Sequence, residues 1–142
     1  MQESSYLNGR VLKWSLPVIE GNPPAAAPRL KRLALAQGEL AHFSDGEKID
    51  YIAFVELRLG GTRGNHYHQK KEEAVYIIRG EMVLFVQDIQ TRERTSLTLQ
   101  AGDLAVVPTR IAHAYQTTQP GDAVEFSKAR FDAADVHRYP LV

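Results

Sequence analysis

The chain of 142 residues contains no cysteine, so a disulfide framework and a thiolate metal site are both excluded. It has no excess of charge, since 17 basic residues balance 17 acidic ones. This balance argues against a nucleic-acid-binding protein, which normally carries a basic excess, and gives no reason to expect binding to a membrane surface. No apolar run reaches membrane-spanning length, and the first ten residues do not form a secretory signal. We therefore expect a cytoplasmic protein.

The length and composition are those of one folded domain with its own core. Hydrophobic residues make up 44% of the chain and charged residues 24%, which is ordinary for a globular protein. Prolines are concentrated near the start, at Pro17, Pro23, Pro24 and Pro28, where they interrupt regular strand pairing. We predict an irregular N-terminal arm over residues 1–28 and a folded domain over 29–142. Trp14 is interpreted as an apolar anchor for the arm.

From Ile49 onward, apolar and polar residues alternate in short segments separated by turn residues. Val55, Leu57 and Leu59 alternate with polar neighbours, and similar short runs recur up to Phe126. Gly80 follows one apolar run and precedes the next so closely that the pattern predicts a tight hairpin there. Strands of this length and spacing predict an all-β sandwich or barrel. One short helical turn is expected at residues 132–136.

The most informative stretch is residues 60–80, where two histidines are separated by one residue. On a strand, His66 and His68 point to the same side, with Cα atoms about 6–7 Å apart, which suits two imidazoles that bind one cation. Glu72 and Glu73 follow, and His113 is supplied by a distant segment. Glu73 is preferred over Glu72 because Val75 and Ile77 share its side. Without cysteine, such a site uses imidazole and carboxylate.

The same spacing resembles the first sequence motif of the cupin superfamily, whose members are jelly-roll barrels. The matching positions are Gly60, His66, His68, Glu73 and Gly80. A second cupin motif is matched in part by Gly102, Pro108 and His113, whereas Arg110 and Thr117 replace its usual glycine and asparagine. The resemblance implies a single-domain cupin with a double-stranded β-helix and an N-terminal arm. It also implies a homodimer, because cupins commonly dimerise through N-terminal strands.

The resemblance implies one divalent transition metal held by His66, His68, Glu73 and His113. Imidazole and carboxylate ligands suit iron, manganese, nickel, zinc or copper, and the spacing does not choose among them. Residues 63–68 are also similar to a stretch found in cupins of sugar-nucleotide and surface-polysaccharide metabolism. That likeness implies that Arg63 binds a phosphate or carboxylate of the substrate; its alternative interpretation is a rim residue in a turn. Tyr67 is a second candidate for substrate binding.

Three functions are consistent with these residues. The first is a metal-dependent isomerase or epimerase acting on a small carbonyl or sugar-type ligand. Its candidate catalytic residues are His66 and His113, because imidazole titrates near neutrality. Tyr115 is a third candidate, because it shares the side of His113 on a strand. The second is a metal-dependent dioxygenase, and the third is a small-molecule-binding or sugar-binding cupin without turnover.

Overall fold

The computed structural model describes residues 2–142, in which β-strands are the main regular structure. The helical content of this part of the chain is one 3-10 turn, Ala133–Asp135, in the segment where a helical turn is expected. Within residues 2–142 there is no helix long and apolar enough to cross a membrane. The strands are β1 Gln2–Tyr6, β2 Val11–Ser15, β3 Val18–Glu20, β4 Lys31–Leu35, β5 Gly38–His42, β6 Tyr51–Leu57, β7 Thr62–Tyr67, β8 Glu73–Asp88, β9 Arg94–Gln100, β10 Asp103–Val107, β11 Ile111–Ser127 and β12 His137–Arg138.

Two long antiparallel strands, β8 and β11, pair along almost their whole length and pass through both walls of a barrel. In the first wall, the start of β8 and the end of β11 pair with β10 and β6, and β10 continues to β2 and β1. In the second wall, the end of β8 and the start of β11 pair with β9 and β7, and β7 pairs with β12. This arrangement is the predicted all-β double-stranded β-helix of the cupin type, so the predicted fold class is confirmed.

The barrel core is built from the inward side chains of the alternating strands. Strand β8 contributes four core residues that are at most 3% exposed: Val75, Ile77, Leu84 and Val86. Ile111 of β11 is fully buried beside them. Because side chains alternate along a strand, the same residues that fill the core fix which neighbours face solvent. The period-two pattern in the sequence therefore locates both the strands and the interior.

The hairpin predicted at Gly80 does not form, because β8 continues through this position. Gly80 has a φ of +91°, and a Cβ there would lie 2.7 Å from the carbonyl oxygens of Gln119 and Pro120. Opposite, a Cβ on Gly121 would lie 1.9 Å from the Arg79 carbonyl oxygen. The two glycines let the backbones approach and bend, and the register shifts between Gln119 and Asp122. The glycine that predicts a turn in the sequence, Gly80, therefore lies at the bend where β8 passes from one wall to the other.

The N-terminal arm is more regular than predicted. Strands β1 and β2 form a hairpin that joins the first wall through β10, with Trp14 opposite Leu104. Trp14 packs on the outer apolar cluster of that wall, so it anchors the arm to its own barrel. Beyond Pro17, β3 pairs with β4, and β4 with β5, in a small separate sheet. Local pattern could not show this because the partner of β2 lies about 90 residues away.

Candidate active site

Three histidines converge inside the barrel at the end of β7 and the start of β11. His113 is the register partner of His66, and His68 follows directly after β7. One ring nitrogen from each histidine lies within 4.8 Å of the others. The ring centroids are 4.8 Å apart for His66–His68 and 4.9 Å for His66–His113. The structure therefore brings together the three histidines that the sequence singles out.

The hydrogen bonds of the two deeper histidines fix which nitrogen faces the centre. The Nδ1 atom of His68 lies 2.9 Å from the Asp135 carbonyl oxygen, and Nδ1 of His113 lies 3.1 Å from the Ile111 carbonyl oxygen. Because a carbonyl oxygen only accepts, each ring donates its Nδ1–H, so Nε2 is the nitrogen that faces the cluster. Both Nε2 atoms are buried without a hydrogen-bond partner among residues 2–142. Buried polar atoms of this kind indicate a ligand or an ion.

Glu73, the first residue of β8, lies beside this cluster and is 3% exposed. Its Oε2 accepts a hydrogen bond from the Tyr115 hydroxyl at 3.1 Å and lies 3.3 Å from His113 Nε2, in ion-pair range but without hydrogen-bond geometry. Its Oε1 lies 3.9 Å from His68 Nε2. Burial acts to raise the pKa of Glu73, but the attraction of His113 and the neighbouring hydrogen bonds lower it overall. The carboxylate is therefore ionised.

Glu72, the rival carboxylate, is on the other side of the chain. Its side chain is exposed, and its carbonyl oxygen accepts a hydrogen bond from the Ser127 hydroxyl. Because side chains alternate along β8, only one of two adjacent glutamates can face the interior. The structure places Glu73 there.

Two charged residues that sequence reasoning missed, Lys71 and Glu125, complete the cluster. Lys71 is 5% exposed, and its ammonium lies 3.5 Å from Glu73 Oε1 and 3.4 Å from Glu125 Oε1. It also lies 4.0 Å from the ring centroid of Tyr51. Lysines before a strand suggest a solvated turn, so only the tertiary structure reveals this burial. The burial of Glu125 could have been predicted from the sequence, because alternation places it on the same inward side of β11 as the buried Ala123.

Burial and neighbouring charges shift the pKa values of this cluster in opposite directions. Burial, followed by repulsion from His113 and His68, lowers the pKa of His66 to about 4, so its imidazole is neutral at pH 7. Burial and the charge of Glu73 raise the pKa of Glu125 to about 7. Burial, with the same charge, raises the pKa of Tyr115, whose hydroxyl stays protonated. The site therefore holds proton acceptors and donors side by side.

A cavity of about 180 Å³ opens onto this cluster. His66, Lys71, Tyr115 and Glu125 form polar parts of its wall, and Phe131 lies at the same cavity. His113 is 1% exposed and does not form part of the cavity wall. A space of this size surrounded by charged and aromatic groups suits one small polar molecule.

The two residues predicted to bind substrate have different surroundings, because β7 between them is irregular: Gly64 and Asn65 have positive φ angles, and the register against β11 shifts there. Arg63 lines the cavity and is exposed, with its guanidinium donating to the Glu56 carbonyl oxygen at 3.2 Å. Tyr67 lies outside the barrel, where it stacks on His137 and packs near Tyr139. Tyr67 therefore lies apart from the cavity that Arg63 lines. Successive strand residues face opposite sides, so Tyr67 and its neighbour His66 cannot both face the interior.

A family model described as the polysaccharide biosynthesis C-terminal domain matches residues 35–129, which are 95 of the 142 residues. The chain belongs to this family. The match includes the three converging histidines, Glu73 and Lys71. No curated protein matches the chain.

The fold is shared with solved sugar-nucleotide enzymes. The Mycobacterium tuberculosis rmlC epimerase matches with a TM-score of 0.76 and 12% identity, over 97% of this chain and 72% of the epimerase. A 3,4-ketoisomerase from Helicobacter canadensis matches with a TM-score of 0.68 and 13% identity, over 78% of this chain and 86% of that enzyme. The dTDP-6-deoxy-D-glucose-3,5-epimerase RmlC from Legionella pneumophila, solved with dTDP-4-keto-L-rhamnose, matches with a TM-score of 0.73 and 12% identity, over 95% and 75%. At these identities the likeness establishes the fold.

The raised pKa of Glu125 predicts a pH dependence of stability. The folded state binds this proton more tightly than the unfolded state, so the contribution of Glu125 to the free energy of unfolding falls as pH rises from about 4.5 to about 7. We expect Glu125→Gln to remove a decrease on the order of 2–3 kcal/mol between pH 5 and pH 8. Denaturant unfolding at both pH values, in chelator, measures it. The exposed neighbour Glu72→Gln is the control; equal pH dependence in wild type and Glu125→Gln contradicts the assignment.

Proposed function

We propose that this protein is an isomerase or epimerase that moves a proton next to the carbonyl group of a keto-sugar, carried as a sugar nucleotide. The observation that carries the proposal is a barrel cavity in which a neutral imidazole, His66, and a buried ammonium, Lys71, both form part of the wall. The polysaccharide-biosynthesis family and the sugar-nucleotide enzymes that share the fold support the substrate class. They favour this reaction over the dioxygenase alternative.

Keto-sugar isomerisation and epimerisation share one chemical step. A proton leaves a carbon atom next to the carbonyl group, and negative charge moves to the carbonyl oxygen. Reprotonation of the former carbonyl carbon, with transfer of a proton from the neighbouring hydroxyl to the former carbonyl oxygen, gives the isomer; reprotonation of the original carbon on the opposite side gives the epimer. The step needs a proton acceptor at the carbon and a positive group at the oxygen.

The residues of this cavity meet both needs. In the metal-free site the pKa of His66 is lowered to about 4, so its imidazole is neutral at pH 7 and its lone pair is open to the proton from carbon. The Lys71 ammonium, held between Glu73 and Glu125, stabilises the negative oxygen in a site from which bulk water is largely excluded. Tyr115 donates its hydrogen bond to Glu73, so its role is to hold that carboxylate in place.

We also propose that the site binds one divalent transition metal. His66, His68 and His113 would hold the ion, with Glu73 as the adjacent carboxylate. The fit is supported by the unpartnered Nε2 atoms of His68 and His113, whose Nδ1–H groups are bound as in ligating histidines. When bound, a metal supplies Lewis-acid polarisation of a carbonyl oxygen. One lone pair of His66 cannot serve an ion and a proton at once, so metal content decides between its two proposed roles.

Activity is tested by isotope exchange. With keto-sugar nucleotides in D₂O, we expect deuterium to enter the carbon next to the carbonyl group, measured by NMR. His66→Ala is expected to slow this exchange by about 10²-fold or more, the usual contribution of a general base. His42→Ala, on the small separate sheet, is the matched histidine control and keeps wild-type exchange. Wild-type rates in His66→Ala contradict the role of His66, and no exchange with any keto-sugar nucleotide contradicts the proposed reaction.

Metal binding is tested by elemental analysis of the purified protein. We expect about one divalent metal per chain in the wild type and a large loss in the His66→Ala/His113→Ala double variant, because two of three imidazole ligands are gone. The His42→Ala variant removes a histidine outside the cluster and is expected to keep its metal. Equal content in wild type and the first double variant rejects the site.

We propose, in addition, a homodimer formed through the outer side of the first wall. The hairpin β1–β2 pairs with β10 of its own chain at the edge of the first wall. On the outer side, Ile52 and Phe54 are 66% and 69% exposed. The same wall carries a groove of about 520 Å³ whose floor includes Leu12 and Val106. A two-fold axis across this wall would place the protruding pair of each copy on the groove of the other.

The dimer proposal predicts a response to substitution on β6. Ile52→Ser/Phe54→Ser removes the protruding apolar pair, and we expect it to shift sedimentation from dimer to monomer. Leu59→Ser, a 70% exposed leucine outside β6, is the control and stays dimeric. A wild-type protein that is monomeric at high concentration contradicts the proposal, as does a dimeric double variant.

A further inference from the structure

Asp135 is a buried acid near the end of the chain, in the 3-10 turn Ala133–Asp135, and it is 6% exposed. Its carboxylate accepts hydrogen bonds from the backbone N–H of Gln69 at 2.9 Å and of Lys70 at 3.0 Å, one on each oxygen. Its own carbonyl oxygen lies 2.9 Å from Nδ1 of His68. One residue therefore contacts three successive residues of the segment that follows β7.

These three contacts fix both the backbone and the side chain at His68. Two N–H groups on separate oxygens define the direction of the chain after β7, because a carboxylate binds both only in a narrow range of orientations. The carbonyl oxygen then requires the Nδ1–H form of the ring, which leaves the lone pair on Nε2. That atom is the one buried without a partner beside Glu73.

Asp135 is in turn held against β7 by the rest of the C-terminal segment. The turn begins at Asp132, whose carboxylate accepts a hydrogen bond from the Ala134 N–H at 2.9 Å. Strand β12 pairs with β7, with His137 opposite Tyr67. Further along, Asn65 accepts a hydrogen bond from the Leu141 N–H at 2.8 Å. The C-terminal segment therefore contacts the chain before His66, at Asn65, and after His68, at Gln69 and Lys70.

We infer that Asp135 is a positioning residue of the site, which selects the Nδ1–H tautomer of His68 and directs Nε2 to the cavity cluster. The inference deepens the metal-binding part of the proposed function and rests on it only for the consequence for metal affinity. Partners of this kind hold the ring orientation of ligating histidines, and their loss typically weakens metal affinity 10–100-fold. Asp135 lies 67 residues beyond His68 and outside the motif that marks the histidines.

The test uses Asp135→Asn, which keeps one acceptor oxygen and turns an NH₂ group toward the second backbone N–H. In metal-free protein, side-chain ¹⁵N shifts of His68 are expected to move from the Nδ1–H form to a mixture of tautomers. Zinc affinity, measured by chelator competition, is expected to fall at least about tenfold. The matched control is Asp88→Asn. Asp88 is 2% exposed and accepts from the N–H groups of Gln90 and Thr91 in another loop.

Asp88→Asn is expected to lose stability but to keep the His68 tautomer and the zinc affinity. A folded Asp135→Asn protein with the wild-type tautomer overturns the inference, as does an equal loss of zinc affinity in the two variants. If Asp135→Asn does not fold, the wild type decides: side-chain ¹⁵N shifts that show His68 in the Nε2–H form, or as a mixture of tautomers, overturn the inference. A wild-type protein that binds no zinc rejects the metal proposal, and the tautomer result still decides the role of Asp135.

Discussion

The interior carboxylate of Glu73 is the constraint on which the rest of the site depends. A buried charge is costly unless hydrogen bonds and opposite charges compensate it. Here the compensation comes from both walls of the barrel, from Tyr115 and His113 on β11, and from Lys71 in the loop before β8. Because these partners come from separate segments, a single charge ties the two walls together at the cavity.

The same constraint explains why the cluster is chemically useful. A negative carboxylate holds the ammonium of Lys71 in a place where it has little water, and that ammonium also lies over the Tyr51 ring. Burial, together with the charge of Glu73, raises the pKa values of the neighbouring Glu125 and Tyr115 and keeps both protonated to higher pH than usual. The arrangement places neutral, positive and negative groups at one cavity, as the proposed proton transfer beside a carbonyl group requires.

The bend in the strand pair β8–β11 supplies the geometry. At Gly80 and Gly121 the two backbones approach closely, which no side chain at either position would permit. The bend sends the start of β8 into one wall and the start of β11 into the other, so Glu73 and His113 face each other across the interior. The hairpin predicted at Gly80 was wrong for a physical reason, since a glycine that allows a turn also allows a bend in a paired strand.

The sequence by itself determined the fold class and most of the histidine cluster. Alternation of apolar residues specifies which side chains face the core, and the spacing of His66 and His68 places both on one side of a strand. Only the tertiary structure decided that Lys71 is buried, that Tyr67 faces outward and that Asp135 contacts the segment of His68. The reason is that local periodicity records the orientation of side chains within one segment, whereas these contacts join segments that are distant along the chain or lie in loops without periodicity.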